Sequence, residues 1–194
     1  MSDRSFVRFG GYAGILLALT SWAAVVEFYA LSGGELFQWL YALIAFWAVI
    51  GIVAVYYRVR ANGEAWAFFA SLVGAVASLA TVAASVYQAA LLRAVAQGSV
   101  AKTALDAPSA ANPFGVWTFG VTSIWFLVVA LLMFRGGFPR LLALLGLVAF
   151  ADLVVGFAAS ALGLPTLATL AAVVAGGVGG PIFWLWFGIL LLRD

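Results

Sequence analysis

The sequence predicts an all-α fold: a polytopic transmembrane helical bundle of six helices with both termini cytoplasmic. Three observations lead there. Hydrophobic residues make up 66% of the 194 and charged residues only 8%, with a mean hydropathy of +1.18, whereas soluble domains carry about 25% charged residues. Six apolar stretches follow one another, approximately 10–31, 36–57, 65–90, 114–134, 139–162 and 167–192, and a bilayer core of about 30 Å needs roughly 20 such residues per helix. Basic residues alternate between the ends of these stretches: Arg4, Arg8, Arg58, Arg60, Arg135, Arg140 and Arg193 gather on one side, and only Arg93 and Lys102 on the other. The richer side is the cytoplasmic one by the positive-inside rule. Long unbroken apolar runs favour helices over the short alternating strands of an outer-membrane barrel. Little sequence remains for anything but one transmembrane domain spanning 1–194.

The first stretch exceeds the 7–15 apolar residues of a signal-peptide core and has no clear A-x-A site, so it reads as a retained helix. Ser32-Gly33-Gly34 then forms a turn. In the third stretch Ser71, Gly74, Ser78, Thr81, Ser85 and Gln88 recur at spacings of 3, 4, 3, 4 and 3, which puts small and polar groups on one helix face. That face reads as a packing seam or as a polar conduit. The long connection, 91–112, can extend helix three as far as Gly98. Asn112-Pro113 reads as an N-cap followed by proline at the first helical position, and Gly136-Gly137-Phe138-Pro139 as a hairpin turn. Gly163-Leu164-Pro165 separates the last two stretches.

A weak threefold pattern overlies this order. Trp39 and Trp47 have the same separation as Trp117 and Trp125, and Trp47, Trp125 and Trp184 each precede an arginine by about ten residues. Three hairpins of common design produce such a pattern, and so do interfacial tryptophan belts with terminal arginines arising independently.

Much chemistry is excluded. With no cysteine and no histidine, thiolate ligands, histidine-ligated haem or zinc and Ser-His-Asp catalysis are absent. The single lysine, Lys102, lies in the long connection, so a retinal Schiff base within the bundle is excluded as well. No cofactor is predicted; a lipid, quinone or pigment held by packing alone stays compatible with the sequence. The arginines come with no phosphate-binding or nucleic-acid motif, and no nucleic-acid partner is expected.

Two carboxylates stand inside the apolar stretches, where an ionisable group is a functional candidate. Glu27 lies near the outer end of helix one, at a depth similar to Gln88 of helix three, with Arg93 just beyond. An outer-side polar tie among Glu27, Gln88 and Arg93 is the expected arrangement. Asp152 lies near the middle of helix five, where insertion scales set about 2.5–3.5 kcal/mol against an aspartate. At matching depth helix six carries Gly176, Gly177, Gly179, Gly180 and Pro181, a run that weakens a helix. If the helix is broken there, its lower half turns a positive dipole end toward Asp152, as at transporter sites. If it is not, the glycines serve close packing of helices five and six.

The opening "RFGGYAGILLAL" and the closing "GGPIFWLWFGILLLR" resemble the ends of small bacterial six-helix integral membrane proteins of a domain of unknown function. The resemblance implies the bacterial cytoplasmic membrane and carries over no site residues. The expected function is a non-enzymatic accessory or structural subunit of a membrane complex, or a small homo-oligomer, with lipid, other membrane subunits or itself as partners. The alternative is a small-molecule or ion-coupled carrier working through Asp152.

Overall fold

The computed structural model describes residues 3–31, 33–102 and 117–193. They form α1 (Asp3–Ala30), α2 (Glu35–Val59) with a 3-10 turn (Arg60–Asn62), α3 (Glu64–Ala96), α4 (Trp117–Arg135), α5 (Arg140–Ala161) and a sixth long helix in three parts. Those parts are α6 (Pro165–Val173), a π-helical segment (Val174–Gly179) and α7 (Gly180–Arg193). The fold is all-α, with no strand among the described residues. Six of its helices are long and apolar enough to cross a membrane. The Asn112-Pro113 cap, Ser32 and residues 103–116 fall outside the described residues.

Helix α1 starts seven residues earlier than hydropathy predicts, because Val7 is buried in the core and the Phe6 ring meets Tyr57 edge-on. Packing, not hydropathy alone, holds its first two turns. Helix α3 runs on to Ala96 and stops where Gly98 takes a φ of +71°. The hairpin between α4 and α5 depends on Gly137, whose φ of +73° is one that residues with a Cβ rarely adopt. Pro165 begins α6 in the first turn, where its missing N–H removes no helical bond.

Each helix packs against its neighbour in the chain, and α7 closes the ring against α1. That closure is backbone-close: a Cβ placed on Gly14 would lie 2.9 Å from the Trp184 carbonyl oxygen, and one on Gly188 2.7 Å from that of Gly11. Small residues permit such approach between helices.

The ring is filled rather than hollow. Trp125 of α4 stacks on Trp184 of α7 with ring centroids 5.2 Å apart and planes 9° from parallel. Phe126 and Phe183 flank the pair and Phe187 stacks on Phe183, with Ile52, Val55 and Val59 of α2 and Leu142 of α5 in the same core. Gly51 of α2 and Gly74 of α3 make the space, since Cβ atoms there would come within 2.5 Å of the Trp184 ring and 2.7 Å of the Trp125 ring. Trp125 is 1% exposed, so it belongs to the core and not to an interfacial belt. Trp39, by contrast, is exposed and bonds Glu35 at the end of α2.

Candidate functional site

The glycine-proline run of the sixth helix does not break the chain into two half-helices. It forms a widened turn in which the Gly180 N–H reaches the carbonyl of Ala175, five residues back. The sequence explains the choice: a Cβ on Gly180 would lie 2.5 Å from the Ala175 oxygen and one on Gly179 3.4 Å from the Val174 oxygen. Glycine removes that obstacle. Pro181 adds a second constraint, because in an α-helix its missing N–H would have served the carbonyl of Gly177.

That carbonyl is served from outside the helix. The indole Nε1–H of Trp22, on α1, donates to the Gly177 oxygen at 3.1 Å. On the other side, the Asp152 carboxylate of α5 lies beside the backbone of Ala175. The π segment thus meets one polar side chain from each of two helices, Trp22 through a hydrogen bond and Asp152 by proximity. π-helical turns often coincide with functional positions, and neighbouring side chains commonly satisfy backbone groups freed by proline in apolar surroundings. The second carboxylate oxygen of Asp152, Oδ2, is buried with no hydrogen-bond partner.

Asp152 therefore meets the sixth helix at Ala175, one residue before the glycine run. The glycines divide by role. Gly179 and Gly180 admit the wide turn; Gly177 faces Val25 of α1 at an ordinary 3.6 Å, not helix five; Gly176 has nothing within 4 Å of where a Cβ would stand. Close packing of α5 on α6 falls instead to Gly156, 3.3 Å from the Ala171 methyl by the same measure. Trp22 was not apparent as a site residue in the sequence. Its signal, an indole donor opposite a proline-freed carbonyl, becomes legible only once α1 is known to pack on the π segment.

At the other predicted site the groups are divided between two arrangements. Glu27 is only 5% exposed, and its Oε1 accepts the backbone N–H of Gly34 at 3.2 Å, fastening the turn between α1 and α2. Its Oε2 is buried and unpartnered. Arg93 pairs with Glu35, not Glu27, through two guanidinium nitrogens, and Trp39 donates to the same carboxylate at 3.0 Å. Gln88 is half-buried on α3, and the bond it was expected to give Glu27 is replaced by the nearer Gly34 amide. Glu27→Gln, which keeps an acceptor for Gly34, is expected to lower stability less than Glu27→Leu, which strands that amide at a cost of about 1–3 kcal/mol. Thermal unfolding of the two variants in detergent checks this; equal losses would mean that the bond contributes nothing.

The hydroxyls inside the helices mostly serve their own backbone. Thr20, Ser21, Thr81 and Ser160 each donate to the carbonyl four residues back, and Ser123 to Gly120 three back. Ser123 of α4 thus has its proton engaged within its own helix. On α3, Gly74, Ser78 and Ser85 are buried against neighbouring helices, which makes that face a packing seam. Two depressions, beside Ala65, Trp66 and Phe69 and along Leu164–Leu167, are shallow and lie at the surface. Among the described residues no three acidic side chains converge as a metal site would require.

No protein-family model matches the chain, and no curated protein and no solved structure is similar to it.

Proposed function

We propose that this chain is a multi-pass protein of the bacterial cytoplasmic membrane, with six spans and both termini in the cytoplasm, and that it serves as a non-catalytic subunit of a membrane assembly. One observation carries the reading: the interior is filled by stacked aromatic rings and self-satisfied hydroxyls, so the bundle offers outer surfaces rather than a chamber for chemistry or passage. The outer surface is richly apolar, as in Phe46, Phe68, Leu72, Leu79, Val148 and Leu170, and suits lipid and neighbouring spans alike. The resemblance of the chain's two ends to small bacterial six-helix proteins agrees with this location.

Orientation is tested by fusions after Asp194. A fluorescent-protein fusion is expected to fluoresce and an alkaline-phosphatase fusion to be inactive, as for a cytoplasmic C-terminus. The reverse pattern would overturn the orientation. The assembly is tested by gentle solubilisation of native membrane: a fixed stoichiometric companion is expected, and purification of the chain alone would count against the reading.

A second reading, an ion-coupled carrier, is favoured by the meeting of Asp152 with the π segment. A coupling carboxylate must exchange protons or partners, so Asp152→Asn would then abolish flux in proteoliposomes while preserving the fold. Absence of any proton or substrate flux in the parent protein removes that reading.

A further inference from the structure

The sixth helix is covered unevenly. Its lower part, α7, lies against α1 and the aromatic core, whereas α6 packs chiefly on α5. Along Pro165–Gly179 only Ala171 and Gly179 are buried. Leu167, Leu170, Val174 and Val178, three or four residues apart, stand exposed along one side of it. Apolar exposure alone is what lipid accepts, but this face borders a group that lipid does not accept. Asp152, beside Ala175, is only partly buried and lies at mid-depth, where an aspartate costs about 2.5–3.5 kcal/mol. The chain brings no cation to it. All nine of its basic residues stand at helix ends or in the long connection, none at the depth of Asp152.

We infer that the outer face of α6 and the π segment, together with Asp152, is the docking surface for one membrane-spanning helix of a different protein, and that this helix carries a lysine or arginine at mid-depth. The inference rests on the subunit reading above and names the surface and the chemistry of the partner. Charge complementarity decides between occupants. A second copy of this chain would bring another aspartate and no cation, and lipid would bring neither donor nor charge. A basic residue in the partner is itself costly to insert alone, and opposite charges within membranes are found paired with one another.

Because the chain has no cysteine, single-cysteine variants carry one reactive thiol each. Leu170→Cys, Val174→Cys and Val178→Cys on the proposed face, and Leu72→Cys and Leu79→Cys on exposed positions of α3, would be labelled with benzophenone maleimide in native membranes and irradiated. Adducts to one other chain are expected from the first three and not from the α3 pair, and sequencing of the adduct should place a lysine or arginine within an apolar stretch. Asp152→Asn should lower the adduct yield at least tenfold with unchanged helicity and unfolding temperature. Should that variant fold poorly, Val174→Trp, tested with the Leu170→Cys and Val178→Cys probes, blocks the same face and leaves Asp152 in place, with the same loss expected. Adducts of twice the chain's mass, or a partner helix without a basic residue, overturn the inference. So does a yield that neither substitution lowers. Adducts from α3 alone overturn the docking face and leave the subunit reading standing, whereas lipid adducts at every position overturn both.

Discussion

Gly51→Leu and Gly74→Leu are each expected to lower the unfolding temperature in detergent by about 10 °C, while Gly176→Leu leaves it nearly unchanged. The three substitutions add the same side chain to glycines of similar hydropathic setting, so the contrast isolates packing. At Gly51 the added Cβ would stand 2.5 Å from Cζ3 of Trp184, and at Gly74 it would stand 2.7 Å from Cδ1 of Trp125 with Ile52 3.1 Å away. Neither ring can move aside, because each is stacked on the other and walled by Phe126 and Phe183. Overfilling a packed core costs about 1–3 kcal/mol, and for a chain of this size each kcal/mol moves the transition by about 2–4 °C. A leucine on a rigid wall belongs at the upper end of that range. At Gly176 the new side chain enters open space, where surface changes stay within about 0.5 kcal/mol.

A rescue separates steric conflict from any other effect of losing glycine. Trp184→Ala alone should cost about 3–5 kcal/mol as a large-to-small core change. Combined with Gly51→Leu it should cost clearly less than the sum of the two, because leucine then occupies vacated space. Strict additivity in unfolding measurements would mean that Gly51 and Trp184 do not meet as described.

The helices were legible because their signals are local. Hydropathy sets each apolar run, glycines at Gly98, Gly137 and Gly163 supply the positive φ that ends or turns the chain, and Pro165 opens α6. The start of α1 was misjudged because Val7 and Phe6 are held by partners about 50 residues away, such as Tyr57. The Trp125–Trp184 stack was not legible at all, since tryptophan near an arginine-ended helix reads as an interfacial anchor until the ring of helices is closed. Asp152 and the glycine-proline run were recognisable from composition and depth. What the sequence could not supply was the form of the turn, because a broken helix and a π-helical one make the same demands on residue type and differ only in where the backbone bonds go. Likewise Arg93 stood within reach of either Glu27 or Glu35 by depth alone; the turn at Gly34 engages the first and leaves the second for the arginine.

Gly180→Ala is expected to remodel the candidate site from a distance. Even a methyl there meets the Ala175 oxygen at 2.5 Å, so the wide turn must tighten toward an α-helix. Removing one residue's worth of π geometry rotates everything before it by about 100°. Ala175 would turn away from Asp152 and Gly177 from α1, and the Trp22 bond would be lost. A cysteine pair reports this directly: Val25→Cys with Gly177→Cys, whose parent positions are in contact, should form a disulfide readily in the Gly180 background and at least tenfold less in the Gly180→Ala background. An unchanged yield would mean that the π segment does not depend on glycine at 180. The Trp22 bond has its own signature. Trp22→Phe should cost about 1 kcal/mol by leaving the Gly177 carbonyl unserved, and almost nothing once Pro181→Ala has returned an amide to that carbonyl. If Trp22→Phe costs the same in both backgrounds, the indole contributes packing alone and proline has no part in its role.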